Sequence, residues 1–208
     1  MRIKFSLLTV LLLSATTITL IGCGGGNNRQ GAAGKDSTTI VPEPEDTVIS
    51  AWKNVNEMPL AFLTNLFDMK GEENISLYMD KVLKPKGFQH FFKIEDQKTI
   101  ATMWAYNSTY DEIAMKAVAK DKTSMSITFV YGMDNTLDFY FHDKDILHRL
   151  TQELLKAGYN KHDAYNDDDG GEVEYYLPEK VKKDGENTGI YLTTYDNDTF
   201  VISLKRFN

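Results

Sequence analysis

The chain has a single cysteine, Cys23, among its 208 residues. No disulfide can close within it, so its fold must rest on a hydrophobic core alone. The stretch able to build that core is residues 47–208. It is rich in aromatic side chains, and domains commonly run to about 100–150 residues. The same cysteine also follows directly on the longest apolar run of the chain, so its position bears on more than folding.

Met1-Arg2-Ile3-Lys4 carries two positive charges, and "FSLLTVLLLSATTITLIG" (residues 5–22) carries none. A basic start followed by an apolar run ending in small residues has the layout of a secretory signal. A spanning helix needs about 20 predominantly apolar residues. This run is slightly short and is diluted by Thr16, Thr17 and Thr19. No later run is long enough to span.

Leu20-Ile21-Gly22-Cys23 decides between the two readings. It resembles a bacterial lipobox: a branched apolar residue, a tolerant position, a small residue, then cysteine. The resemblance covers residues 1–23. It implies a lipoprotein precursor in which the Cys23 thiol is thioether-linked to diacylglycerol and cleavage falls between Gly22 and Cys23. Residues 1–22 are then the signal peptide and Cys23 is the mature N-terminus. Each buried methylene contributes about 0.8 kcal/mol, and one acyl chain binds only marginally, so the two or three chains on Cys23 would make attachment close to permanent. The expected partner is thus the membrane, through lipid on Cys23. Gly24 does not resemble the inner-membrane retention signal of some lipoproteins, which points to the outer membrane, facing the periplasm.

Losing residues 1–22 removes Arg2 and Lys4 and no acid, leaving 21 basic against 30 acidic residues. A chain this acidic lacks the basic stripe of a nucleic-acid binder. It also gains nothing from an anionic bilayer surface. Residues 24–46, "GGGNNRQGAAGKDSTTIVPEPED", have no apolar periodicity and read as a flexible tether. Such a tether has a root-mean-square span of roughly 25 Å. "GGG" is not a phosphate loop, because no strand precedes it and no Gly-Lys-Ser/Thr follows.

Beyond Asp46 the periodicity is first helical. Val48, Ala51, Trp52 and Val55 fall on one helical face; Leu60, Leu63 and Phe67 recur at helical spacing after Pro59; Gly71 is a stop. Ile75, Tyr78, Met79 and Val82 form the stripe of a further helix, ended by "KPKG". Then a two-residue period takes over in residues 99–107, 113–120, 124–132 and 136–141, and Asp121-Lys122-Thr123 reads as a hairpin turn. A strong helix follows, capped by Asp143 or Asp145, with Ile146, Leu147, Leu150 and Leu154 facing the core and Gly158 ending it. Strands at residues 172–178, 189–196 and 199–207 complete the chain, the last two joined by Asp196-Asn197-Asp198. Helices grouped against antiparallel strands define an α+β fold with a helix layer on a sheet.

The halves read alike. An offset of 71 superimposes Leu83 on Leu154, Gly87 on Gly158, Phe88 on Tyr159 and Trp104 on Tyr175, whereas an offset near 75 aligns the hairpin turns better. The expectation is two duplicated units, residues 74–132 and 145–207, each a helix, a Gly-aromatic exit and about three antiparallel strands. The competing account is that packing physics makes two helix–sheet units look alike. The pattern is similar to that of envelope lipoproteins and small secreted inhibitors or adaptors that pair helix-plus-meander units.

Chemistry is sparse. The histidines are His90, His142, His148 and His162. His142 and His148 are six apart, where a helical zinc site wants two at i and i+4. "NDDDGGE" (residues 166–172) fails as an EF-hand, since Gly170 at position 6 puts Tyr165 at position 1 and Tyr176 at position 12. It reads as a solvated loop guarding a sheet edge. Ser108, Ser124 and Ser126 lack any nucleophile motif. Tyr175, Tyr176, Tyr191 and Tyr195 could line a binding face, but tyrosines in strands more often simply pack. No catalytic residue, cofactor or metal is expected. The leading expectation is a non-catalytic binding or adaptor module recognising another envelope protein or peptide. The alternative is a carbohydrate-active or other hydrolytic enzyme with spatially paired carboxylates, which leave no local signature. A deep cleft holding two carboxylates would favour the enzyme, and a shallow open sheet face the module.

Overall fold

The computed structural model describes residues 52–69, 72–95, 99–132, 135–180 and 187–207. The expected leader (residues 1–22), Cys23, the expected tether (24–46) and Val48, Ala51 and Gly71 lie outside these residues. No helix among the described residues is long and apolar enough to cross a membrane. The fold is mixed α+β, with three helices on a large antiparallel sheet of eight strands.

Helix α1 (Leu60–Asp68) starts behind Pro59, whose extended backbone serves as its N-cap. It buries Leu60, Phe62, Leu63, Leu66 and Phe67. Pro59 offers no side-chain acceptor, and the free Leu60 N–H instead donates to Glu153 Oε2 at 2.7 Å. Glu153 lies on helix α3 (Lys144–Lys156), where Arg149 pairs with it and also donates to Met58 O at 2.8 Å and Asn56 O at 2.9 Å. One ion pair thus satisfies the backbone leading into α1 and ties two helices together. Helix α2 (Glu72–Leu83) buries the expected stripe of Ile75, Tyr78, Met79 and Val82. Asp143 caps α3 by accepting from Asp145 N at 2.9 Å, and Ile146, Leu150 and Leu154 are buried beneath it.

The helices leave through similar bends. α2 tightens into a 3₁₀ turn at Lys84–Lys86, and Gly87 then takes φ +89°; α3 ends into Gly158 at φ +82°. Both conformations disfavour any side chain. Gly87→Val and Gly158→Val are each expected to lower stability by about 1–2 kcal/mol in chemical denaturation. Gly87→Val should cost more, because its Cβ would lie 3.2 Å from the Tyr106 ring whereas the space at Gly158 is open.

The sheet order is β1 (Gln89–Glu95), β2 (Ile100–Tyr106), β5 (Met125–Tyr131), β6 (Thr136–Phe141), β10 (Thr199–Phe207), β9 (Asn187–Tyr195), β8 (Glu172–Pro178), β7 (Tyr159–Asn166). Two four-strand meanders therefore meet along β6 and β10, where Asp138 pairs with Ser203. Both outer strands carry a register break three residues past the glycine, between His90 and Phe92 and between Lys161 and Asp163. Trp104, Ile127, Phe129, Leu137, Phe139, Phe141, Tyr176, Ile190, Leu192, Phe200, Ile202 and Leu204 point to the helices and form one core with them.

Several expectations change. Val55 begins a short 3₁₀ turn (Val55–Glu57), not the end of an α-helix, and Trp52 lies before it in irregular backbone. Trp52 is nonetheless buried, edge-on to Phe62 at 5.7 Å. Residues 113–120 do not pair with β5. Strand β4 (Lys116–Ala119) pairs instead with β3 (Ser108–Asp111) in a separate two-stranded hairpin, and Asp121-Lys122-Thr123 carries the chain from that hairpin back to the main sheet. Each meander has four strands, not three. The first outer strand follows a short irregular sequence and the last is exposed along almost its whole length, so neither shows a burial period. Strand β6 closes the first meander, which therefore extends beyond residue 132. By register, Trp104 corresponds to Tyr176, not Tyr175: His90 pairs with Trp104 and Lys161 with Tyr176, each just before the break.

Candidate binding face

All three helices pack on one face of the sheet. Alternation sends every second strand side chain to the opposite face, which the β3–β4 hairpin overhangs in part. One row of cross-strand partners runs Phe92, Met103, Thr128, Asp138, Ser203, Tyr191, Tyr175, Asp163 from β1 to β7. The neighbouring row runs Ser126, Tyr140, Val201, Thr193, Val173, Tyr165 from β5 to β7. The β1–β5 side is thus apolar and small, and the β6–β7 side is tyrosine and carboxylate.

The tyrosines are ordered by one another. Tyr175 and Tyr191 stack at 4.4 Å with 19° between planes. Tyr175 lies across the backbone of Gly189, where a Cβ would come within 2.8 Å of its ring. Lys205 Nζ sits 5.0 Å above Tyr191. Tyr195 Oη donates to Asp167 Oδ2 at 3.2 Å. Burial pushes the Tyr175 hydroxyl up to about 12, helped by Tyr191, and pushes Tyr140 to about 12, helped by Asp138 and Tyr195. Burial also raises the Asp138 carboxyl, opposed by a hydrogen bond from Ser203 and the charge of Lys205. Tyr140 and Tyr165 still present 37% and 48% of their surface to solvent.

The hairpin overhangs the other half. It occupies the connection between two adjacent strands, residues 107–124, far longer than the usual 2–5 residues of a hairpin loop. Its base is pinned. Asn107, at φ +48°, donates to Asp121 Oδ1 (2.9 Å) and Thr123 Oγ1 (2.8 Å), while Ser124 Oγ donates to Asn107 O and accepts from Lys120 N at 2.9 Å. Its tip is apolar and bare: Ile113 is 93% exposed, held there by Asp111 Oδ1 accepting from Ile113 N and Ala114 N. Between hairpin and sheet lies a cleft of about 690 Å³, floored by Met103, Ser126 and Thr128 and walled by Met115 and Val118. A hollow of about 480 Å³ adjoins it at His142 and Asn197.

Of the carboxylates lining these spaces, four serve the backbone or a salt bridge, and the fifth, Asp145, lies in the first turn of α3. Asp111 holds the hairpin tip, Asp121 accepts from Thr123 N, Asp143 caps α3 and Asp198 pairs with Lys144 at 2.8 Å. Asp121 is accordingly held below the usual carboxylate range, first by the Thr123 hydroxyl. Of the three serines considered from sequence, Ser108 donates to Tyr106 O, Ser124 secures the hairpin base and Ser126 lies on the cleft floor.

The histidines are dispersed. His90 stacks on Trp104 at 4.6 Å and bonds Thr102 Oγ1, His142 Nδ1 meets Thr199 Oγ1 at 3.3 Å, and His162 lies edge-on to Tyr175. His148 lines a different hollow from His142, beside Glu172 and Glu174. In residues 166–172, Asp167 Oδ1 accepts from Gly171 N (2.6 Å) and Asp169 N (3.0 Å), so the loop is an aspartate-organised turn. Of the four tyrosines considered from sequence, Tyr175, Tyr191 and Tyr195 share the open face, whereas Tyr176 is buried under the helices. The sequence does not single out Asp138, and Ile113, expected from the two-residue period on one strand face with Met115, Ala117 and Ala119, lies instead in the turn before β4. Their signals were a carboxylate inside an aromatic strand, and an isoleucine directly after the turn-forming pair Asp111-Glu112.

Comparison with family models, with curated proteins and with solved structures finds no match to this chain.

Proposed function

We propose that the chain is a lipoprotein held at the outer membrane through lipid on Cys23, facing the periplasm, and that its α+β domain is a non-catalytic module binding an envelope protein or peptide. The observation that carries this reading is the β3–β4 hairpin: pinned at its base, bare at Ile113, and overhanging an open sheet face lined with half-exposed tyrosines. A rigid apolar projection beside aromatic side chains is the composition of interface anchors. The commitment of Asp111, Asp121, Asp143 and Asp198 to a cap, turns and a salt bridge favours the module over a hydrolytic site. The domain is further read as a duplication, residues 72–141 and 144–207, on the strength of the matching glycine bends and register breaks.

The test is capture by the lipidated full-length chain in cells, after chemical cross-linking in the envelope. Ile113→Asp is expected to lose the captured partner while leaving the melting temperature within about 1–2 °C, since nothing packs on the side chain. Shortening residues 24–46 should weaken capture by lowering the reach of the tethered domain. Undiminished capture by Ile113→Asp, or hydrolytic turnover by the domain, would replace this reading.

A further inference from the structure

The partner's chemistry can be read from the β6–β7 half of the open face, on the premise that this face is the docking surface. Asp138 and Asp163 bracket the β6–β7 part of the first cross-strand row, with Ser203, Tyr191 and Tyr175 between them. Four strand spacings of about 4.8 Å separate them by roughly 19 Å. No single metal ion or small cation can span that distance. An extended peptide covers it in about six residues, at about 3.3 Å each.

The surface between is suited to cations. A ring face attracts a positive charge, more so when partly desolvated. The chain's own Lys205 already sits 5.0 Å above Tyr191, showing that the ladder accepts one. Asp167, bonded to Tyr195, adds a third carboxylate beside the ladder, and Asp163 and Asp167 both lie close enough to raise the Tyr165 hydroxyl after burial. Against these acids stand Lys205 over Tyr191 and the His162 imidazole edge-on to Tyr175. The chain as a whole is acidic, with a formal charge of −7. An anionic bilayer would be repelled, whereas a basic protein segment would be steered in.

We propose that the tyrosine–carboxylate half of the open face binds an extended, basic segment of a partner protein, with arginine or lysine side chains about six residues apart over Asp138 and Asp163 and the backbone between them lying across Tyr191 and Tyr175.

The fold itself gains nothing from Asp138 being ionised. Its carboxyl is raised in the folded state, so stability falls as pH rises from the ordinary aspartate range toward the raised value. Asp138→Asn removes that cost and should melt no lower than the parent at neutral pH, which separates a binding defect from a folding one.

The probe is a fluorescein-labelled heptapeptide, Arg-Thr-Ser-Thr-Ser-Thr-Arg, titrated by anisotropy against the full-length chain in detergent. Asp138→Asn and Asp163→Asn are each expected to weaken it about tenfold or more. Asp80→Asn, the same charge change on the helix side where Asp80 pairs with Lys84, should weaken it less than about twofold. The citrulline analogue, neutral and of the same shape, should not bind measurably. Equal losses from all three variants would reduce the effect to net charge and overturn the proposal. So would no measurable binding, equal binding of the citrulline peptide, or displacement by choline at lower concentration than by the peptide. Any of these would leave Ile113-dependent capture standing, so the two readings fail separately.

Discussion

Replacing Phe139 with alanine is expected to lower the stability of the domain by about 3–5 kcal/mol. Phe139 is fully buried at the centre of β6, the strand where the two meanders meet, between Ile127 on β5 and Ile202 on β10. It stacks on Phe141 at 5.1 Å, so truncation removes its own contacts and a wall from its neighbour. Domains of this size are stable by about 5–15 kcal/mol, so the loss is a large share of the whole. Without a disulfide, no cross-link limits the consequence. Urea denaturation followed by the fluorescence of Trp52 and Trp104, both buried, should show the midpoint falling by about 2 M. Tyr140→Ala, one residue along the same strand on the open face, should cost no more than about 1 kcal/mol. Similar losses at both positions would mean that the open face is packed.

The second large effect concerns Cys23. Mass spectrometry of the membrane-extracted protein is expected to find residues 1–22 absent and acyl mass on Cys23. Cys23→Ala should abolish both, leaving an unmodified chain that still begins at Met1. Mass is the better readout than membrane partition, because an uncleaved leader could hold the variant at the bilayer by its own apolar run. An unmodified thiol on Cys23 in the parent protein, or an intact Met1, would contradict the account.

How much of this could be read from the sequence depended on whether a residue's role was local. The stripes of α2 and α3, the Asp143 cap, the glycine exits and the bounds of β8 and β10 follow from periodicity and backbone conformation within a few residues. The partner of a strand does not. Residues 113–120 carry the two-residue period read as a sheet strand, yet 116–119 pair with residues 108–111 outside the main sheet, because β5 takes β2 as its neighbour. β7 shows no alternation because an exposed edge strand has no buried face to pattern. The candidate site was least legible for the same reason. Tyr175 and Tyr176 are neighbours in sequence with opposite fates, one on the open face and one in the core, and only the sheet's orientation under the helices separates them. Asp138 and Asp163 become a pair only through four intervening strand contacts.

The central claim is that the open face and its hairpin, and not the helix layer, meet the partner. Photo-crosslinking amino acids placed singly at Ile113 and Tyr140, and at the exposed helix-side residues Leu77 (43% exposed) and Leu155 (47%), test it in the full-length protein in living cells, Tyr140 (37%) being the position comparable in exposure to the helix-side pair. The account predicts a discrete protein adduct from Ile113 and Tyr140 and none from Leu77 or Leu155. Adducts arising from the helix positions alone, or from none of the four, would contradict it.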